Sequence, residues 1–157
     1  MEIKQYLIDT FKFNDEANKK VLEKIKLLPN KTEAIKLFSH LITCQYRWMA
    51  GITQEQKAKE MTWWEPPYEL NELENNWNNS LKLWIDCINS KTEAELFEEI
   101  KFLGWSSGDF AAKFKDIALQ LNYHSIHHRA QIQTIIRQQG LKPDSVEYIN
   151  SHYRQLT

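Results

Sequence analysis

The stretch that most constrains this chain is Leu121 to Gly140, LNYHSIHHRAQIQTIIRQQG, which sets two histidines one helical turn apart beside an apolar stripe. The pattern predicts a helix from near Ala112 to Gln139, stopped by Gly140 with Pro143 just beyond. At about 100° per residue, Phe114, Ile117, Ala118, Leu121, Ile132, Ile135 and Ile136 form one face. His128 falls about 30° from the centre of that face, His124 about 70° and His127 about 130°. The i, i+4 spacing therefore brings His124 and His128 together on the inward side, where two imidazoles can share one metal ion, and leaves His127 to solvent. Histidine pairs at this spacing also occur as hydrogen-bonded residues with no ligand, so a metal site needs a third donor from elsewhere.

Glycine and proline, four of each, punctuate the chain sparsely and leave long uninterrupted stretches, which reads as all-α. Residues 2 to 28 predict a first helix, with Ile3, Leu7, Phe11, Val21, Ile25 and Leu28 inward and a kink where Asn14 and Asp15 interrupt the pattern. Thr32 is the expected N-cap of a second helix reaching about Gln54, with Leu37, Phe38, Leu41, Trp48, Met49 and Ile52 on its core face. Gln54 to Tyr68, holding Pro66, Pro67, Trp63 and Trp64, is a long connection of the kind that often carries function. A third helix is expected from about Glu69 to Asn89. Residues 94 to 111 are expected to be partly extended, as an irregular segment or a hairpin around Gly104 to Gly108. The tail from Asp144 packs as a last helical turn or two. The fold expected is a four-helix bundle with a crossover connection, a single domain over residues 1–157.

With 20 basic against 21 acidic residues and no basic stripe, no nucleic-acid partner is expected. The N-terminal stretch lacks an apolar targeting region and no segment approaches a membrane span, so a cytoplasmic protein without a membrane partner is expected. Cys44 and Cys87 lack CxxC spacing and are expected to stay reduced; Cys44, one turn after His40, is expected as a buried inert thiol, with a soft ligand or nucleophile as the alternative.

His40, at the edge of the second helix's core face, is the only other histidine that a core-facing helix could present to His124 and His128. Three neutral imidazoles would leave an open coordination position, the arrangement of catalytic rather than closed structural sites. Zinc or nickel held there would lower the pKa of water or of an incoming thiol, although histidines alone do not choose the metal. Trp48, Trp63, Trp64 and Tyr123 are candidates for an apolar pocket wall beside the ion, against the alternative that aromatics in bundles are simply core. Arg129 and Gln131 are candidates for orienting the ligands or a substrate carboxylate, and Arg129 could equally pair with an acidic neighbour. His152 is expected in solvent.

The run His124-Ser125-Ile126-His127-His128-Arg129-Ala130-Gln131-Ile132, followed by Arg137, Gly140 and Pro143, resembles the HxxxHRGQ segment of the DinB/YfiT-like family of metal-dependent enzymes. Ser39-His40-Leu41 with Trp48 resembles that family's second-helix motif, and Phe13-Asn14 with Asn18 its first-helix pattern. The resemblance implies a crossover four-helix bundle, often dimeric, with one divalent metal held by His40, His124 and His128 and by water. It implies S-transfer by a transferase using a low-molecular-weight thiol, or hydrolysis of a small-molecule substrate by a hydrolase. The chain departs from the pattern at Ala130, where glycine is usual, and at Gln45, where a carboxylate is frequent. The second departure leaves Gln45 as a neutral neighbour of the site and the catalytic base unassigned. It also motivates the rival reading, a non-enzymatic bundle that a metal stabilises.

Overall fold

In the computed structural model, which describes residues 2–103 and 109–155, four long helices dominate: α1 (Ile3–Leu27), α2 (Thr32–Ile52), α3 (Leu73–Ser90) and α4 (Phe114–Gln138). Between α3 and α4, strands β1 (Glu99–Leu103) and β2 (Asp109–Lys113) pair antiparallel, with Ile100 opposite Ala112 and Phe102 opposite Phe110. The fold is all-α apart from this ribbon. The expected turn over residues 104–108 lies outside the described residues.

Local chemistry explains where the elements begin and end. Thr32, expected as the N-cap of α2, is its first helical residue, and the side chain of Asn30 accepts the Thr32 N–H at 3.1 Å instead. Helix α3 starts at Leu73 rather than Glu69 because residues 69–72 close a turn, in which the Glu72 carboxylate accepts the Glu69 N–H. Helix α4 starts at Phe114 rather than Ala112 because Ala111 to Lys113 are committed to the ladder with Glu99 to Lys101. At its other end Gly140, with φ of 82°, bonds Arg137 O while Leu141 N–H reaches Ile136 O, the paired closure that a left-handed residue allows. The start of α1 is capped from far away: the Glu93 carboxylate accepts the N–H groups of Ile3 and Lys4 at 3.2 and 3.1 Å.

Two apolar clusters fix the direction of each helix. One gathers Leu7, Phe11, Met49, Trp84, Ile88 and Phe114; the other gathers Leu22, Ile25, Leu37, Phe38, Trp77 and Ile136. Helices α1 and α4 therefore run one way and α2 and α3 the other. Each of α1 and α2 packs chiefly on α3 and α4, so the two lie across a diagonal. Since α2 ends at the first cluster and α3 begins at the second, residues 53–72 must climb the bundle, which is the crossover. One 3-10 turn, Gln56–Lys59, interrupts the climb, and another, Tyr148–Ser151, forms the tail.

Between the clusters lies a polar layer. The kink expected at Asn14 and Asp15 is absent: both sit inside an unbroken α1, and Asn14 and Asn18 are buried against α4. Asn18 Nδ2 donates to Asn14 Oδ1 at 3.1 Å and to Ser125 Oγ at 2.7 Å, and Arg129 Nη1 donates to Asn14 Oδ1 at 2.8 Å and Asn18 Oδ1 at 3.3 Å. Such networks hold one register, because sliding either helix leaves buried polar groups unpaired. Among the described residues no helix is long and apolar enough to cross a membrane.

The two fully buried tryptophans of α3 anchor the clusters and satisfy their indole N–H groups, Trp77 on Asp15 Oδ1 and Trp84 on Gln45 O, both at 2.9 Å. Trp84→Ala should lower the unfolding free energy by about 3–5 kcal/mol in urea titrations. Leu27→Ala, at an exposed position of α1, should change it by less than about 0.5 kcal/mol.

Candidate metal centre

The site lies at the level of the polar layer, where α2 faces α4 and the crossover passes outside them. Helix α2 presents His40 and, one turn later, Cys44; α4 presents His124 and His128, also one turn apart. Nε2 of His40 and Nε2 of His124 lie 3.0 Å apart, and Cys44 Sγ is 3.5 Å from the first and 3.6 Å from the second. The ring of His128 is 4.7 Å from that of His40 and 4.4 Å from that of His124, centre to centre. His127 is exposed, with its ring 5.0 Å from that of His128.

Neighbours fix which nitrogens are available. His40 Nδ1 donates to the carbonyl of Trp63 at 2.5 Å and His128 Nδ1 to Gln131 Oε1 at 2.7 Å, which leaves Nε2 of each ring as a lone-pair donor. Burial pushes the pKa of His40 down to about 4, against the Trp63 bond, which raises it, and the charge of His128, which lowers it. Burial likewise holds His124 at about 4, helped by its three histidine neighbours, and lowers His128. All three imidazoles are neutral at pH 7, the state in which they ligate. Burial pushes the Cys44 thiol up to about 12, so it is protonated unless a cation draws the proton off.

The donor set suits a divalent ion. Nitrogen at about 2.05 Å and sulfur at about 2.3 Å from a tetrahedral centre stand about 3.3 Å (N to N) and about 3.6 Å (N to S) from one another. In the structure these separations are 3.0 Å and 3.5 to 3.6 Å. His40, Cys44 and His124 bring one ligand atom each within 4.8 Å of one another, a possible metal-binding group. Cys44 is thus part of the cluster, which favours the ligand alternative over the inert thiol. Its placement was available from the sequence as the i, i+4 partner of His40 on the same helix face.

A cavity of about 370 Å³ opens from these groups, lined by His40, Cys44, Trp48, Trp63, Trp64, Gln120, His124 and His128. Trp64 stacks flat on His40 at 3.7 Å while remaining 49 % exposed, so one face covers the site and the other meets water. The crossover is held in place by α2: Arg47 Nε donates to Met61 O at 2.9 Å, the Arg47 guanidinium lies 4.0 Å over the Trp63 ring, and Ser39 Oγ accepts the Tyr68 N–H at 3.0 Å. Gln120, one turn before His124, and the Trp63 carbonyl were not anticipated. The first carries no motif, and a backbone acceptor leaves no trace in residue type.

Three expected neighbours lie elsewhere. Tyr123 is exposed and lines a different cavity, since one residue's rotation about α4 carries it away from His124. Gln45 is buried next to Cys44 in the chain but does not line the cavity, and its backbone carbonyl accepts Trp84 Nε1 from α3. Arg129 faces α1, where burial brings its guanidinium down to about 10 against the raising charge of Glu147. Gln131, by contrast, holds His128 as a ligand-orienting residue would.

Histidines whose folded pKa is depressed bind fewer protons than in the unfolded chain between the two pKa values. Their contribution to stability is therefore complete above about pH 6.5 and is lost as the pH falls towards about 4. The urea midpoint of metal-free protein should fall over that window, and the double variant His40→Gln, His124→Gln should show a shallower pH profile there.

Comparison with known proteins places this geometry in context. No curated protein matches the chain. The family model described as the DinB family matches residues 6–156, nearly the whole sequence and every residue of the cluster, so the chain belongs to the DinB family.

Proposed function

We propose that the protein is a divalent-metal-dependent enzyme of the DinB type, in which His40, His124 and His128 hold one ion, zinc or nickel, and leave a position open to a small-molecule substrate. The observation that carries this reading is the set of three neutral imidazoles, drawn from α2 and α4, at the head of a 370 Å³ cavity with aromatic walls. A divalent ion bound there supplies Lewis acidity that lowers the pKa of a coordinating thiol or water. The chain's own residues do the rest. Gln131 and the Trp63 carbonyl keep the Nε2 atoms aimed at the ion, and Trp64 keeps bulk water off His40. Trp48 and Trp63 offer an apolar bed for the substrate body. The reaction class that fits is S-transfer from a low-molecular-weight thiol to an electrophile, or hydrolysis of a small molecule. The same reading carries a cytoplasmic homodimer.

The distances of Cys44 favour a second reading, in which its thiolate completes a closed four-ligand site and the ion stabilises the bundle without catalysis. The missing carboxylate at Gln45 is consistent with that alternative.

Protein purified without an affinity tag and supplied with zinc or nickel should hold about one ion per chain, and His40→Ala, His124→Ala or His128→Ala should lower occupancy. Protein that stays empty would remove both readings. Gln131→Ala should weaken metal affinity about 10–100-fold by releasing the His128 ring. Cobalt(II) substitution separates the two readings: an intense near-ultraviolet thiolate band, lost in Cys44→Ser, marks the closed site, whereas its absence with an exchangeable ligand marks the open one. Metal-loaded protein screened with thiols and electrophilic acceptors should show turnover that His128→Ala abolishes. Sedimentation should give twice the chain mass.

A further inference from the structure

Helix α4 also walls a second cavity, of about 200 Å³, between α1, α4 and the tail. Its lining is apolar and aromatic, from Tyr6, Phe13, Leu119, Tyr123, Ile126 and Tyr148, with Tyr148 set edge-on to Phe13 at 5.0 Å. Into this lining the chain places one cation. Arg129 is 3 % exposed, and its two hydrogen bonds, to Asn14 and Asn18, both leave from Nη1. Among the described residues nothing accepts from its Nε or Nη2, and no carboxylate lies within ion-pair distance of it. The Phe13 ring, 5.7 Å from the guanidinium carbon, and the charge of Glu147, which acts from beyond ion-pair distance, are only partial substitutes for a bonded anion.

Two more polar groups in the same lining lack partners. Asn14 Nδ2 and Asn122 Oδ1 are both buried without a hydrogen bond, on side chains 2 % and 7 % exposed. A buried charge is ordinarily paired, and buried amides are ordinarily satisfied. Here a cation, a free amide donor and a free amide acceptor border one apolar hollow.

We propose that this cavity binds a small organic monoanion, a carboxylate carried on a compact aromatic or branched apolar body. The planar carboxylate matches the unused edge of the Arg129 guanidinium and accepts from Asn14 Nδ2, and the apolar body lies among Phe13, Leu119, Tyr123 and Ile126. A single arginine suits one negative charge rather than a phosphate dianion. The volume, below the roughly 300 Å³ at which drug-sized pockets begin, limits the body to about one ring. This site is separate from the histidine cluster and does not rest on the metal reading.

The test is an NMR titration of the full-length protein, without added metal, using benzoate and the neutral isostere benzamide. Benzoate should give saturable shifts centred on Leu119, Ile126 and Phe13, with benzamide at least about tenfold weaker. Asn14→Asp supplies an internal partner for Arg129 and should abolish benzoate binding while raising the urea midpoint. Ile126→Trp, at the half-exposed rim, should block the cavity without touching Arg129. The proposal is overturned if benzamide binds equally well, if no saturation is seen, or if the shifts centre on His40 and Trp64. Unchanged benzoate affinity in both variants would overturn it too. So would movement of the same resonances on dilution of the protein alone, which would mean that a second copy covers this face.

Discussion

Because α2 and α3 run in the same direction, the chain between them has to travel back along the bundle, and the site depends on the course of that return. A tight hairpin after α2 would leave the α2–α4 face bare. The long return instead lays Trp63 and Trp64 over it. Three residues of α2 pin the return in place: Arg47 through the Met61 carbonyl, His40 through the Trp63 carbonyl and Ser39 through the Tyr68 N–H. His40 is both a pin and a member of the cluster. The bond that holds the loop is also the bond that selects the tautomer of the ring, so loop position and ligand availability are set together.

The second organising element is the polar layer that divides the core. A continuous apolar core would tolerate some sliding of α1 against α4. The Asn14, Asn18, Ser125 and Arg129 network does not, because its groups are buried and short of alternatives. His124 and His128 are interleaved with Ser125 and Arg129 on the same turns of α4, so the network that sets the helix register against α1 also sets the height of the histidines against α2. Structure and chemistry share one layer, at a cost in apolar burial that the two large clusters above and below offset.

Much of this could be read in the sequence because it depends on period. The i, i+4 histidines, the stripe from Phe114 to Ile136, Gly140 as the stop of α4 and the proline-bearing connection before α3 each follow from a local rule and hold in the structure. What could not be read depends on the partner rather than the residue. Asn14 looks like a helix interruption until Arg129 is seen beside it, and the spacing of Cys44 from His40 leaves inert thiol and ligand both open until His124 approaches from another helix. Tyr123 lines the hollow beside α1 rather than the histidine cavity, because one step along a helix from His124 turns the side chain by about 100°. Helices α3 and α4 start later than their sequence pattern predicts for a related reason, since the turn at Glu69 to Glu72 and the ladder at Ala111 to Lys113 capture residues that helical propensity alone would claim.

That same 100° step has a mechanical consequence. His128 and Arg129 are consecutive, yet one lines the histidine cavity and the other the hollow beside α1, so α4 is the partition between two chambers. A rigid partition cannot roll or slide to enlarge one chamber without reshaping the other. If a ligand in one chamber shifted α4, the other would be reshaped as well, and by thermodynamic reciprocity any such influence on binding would be equal in both directions.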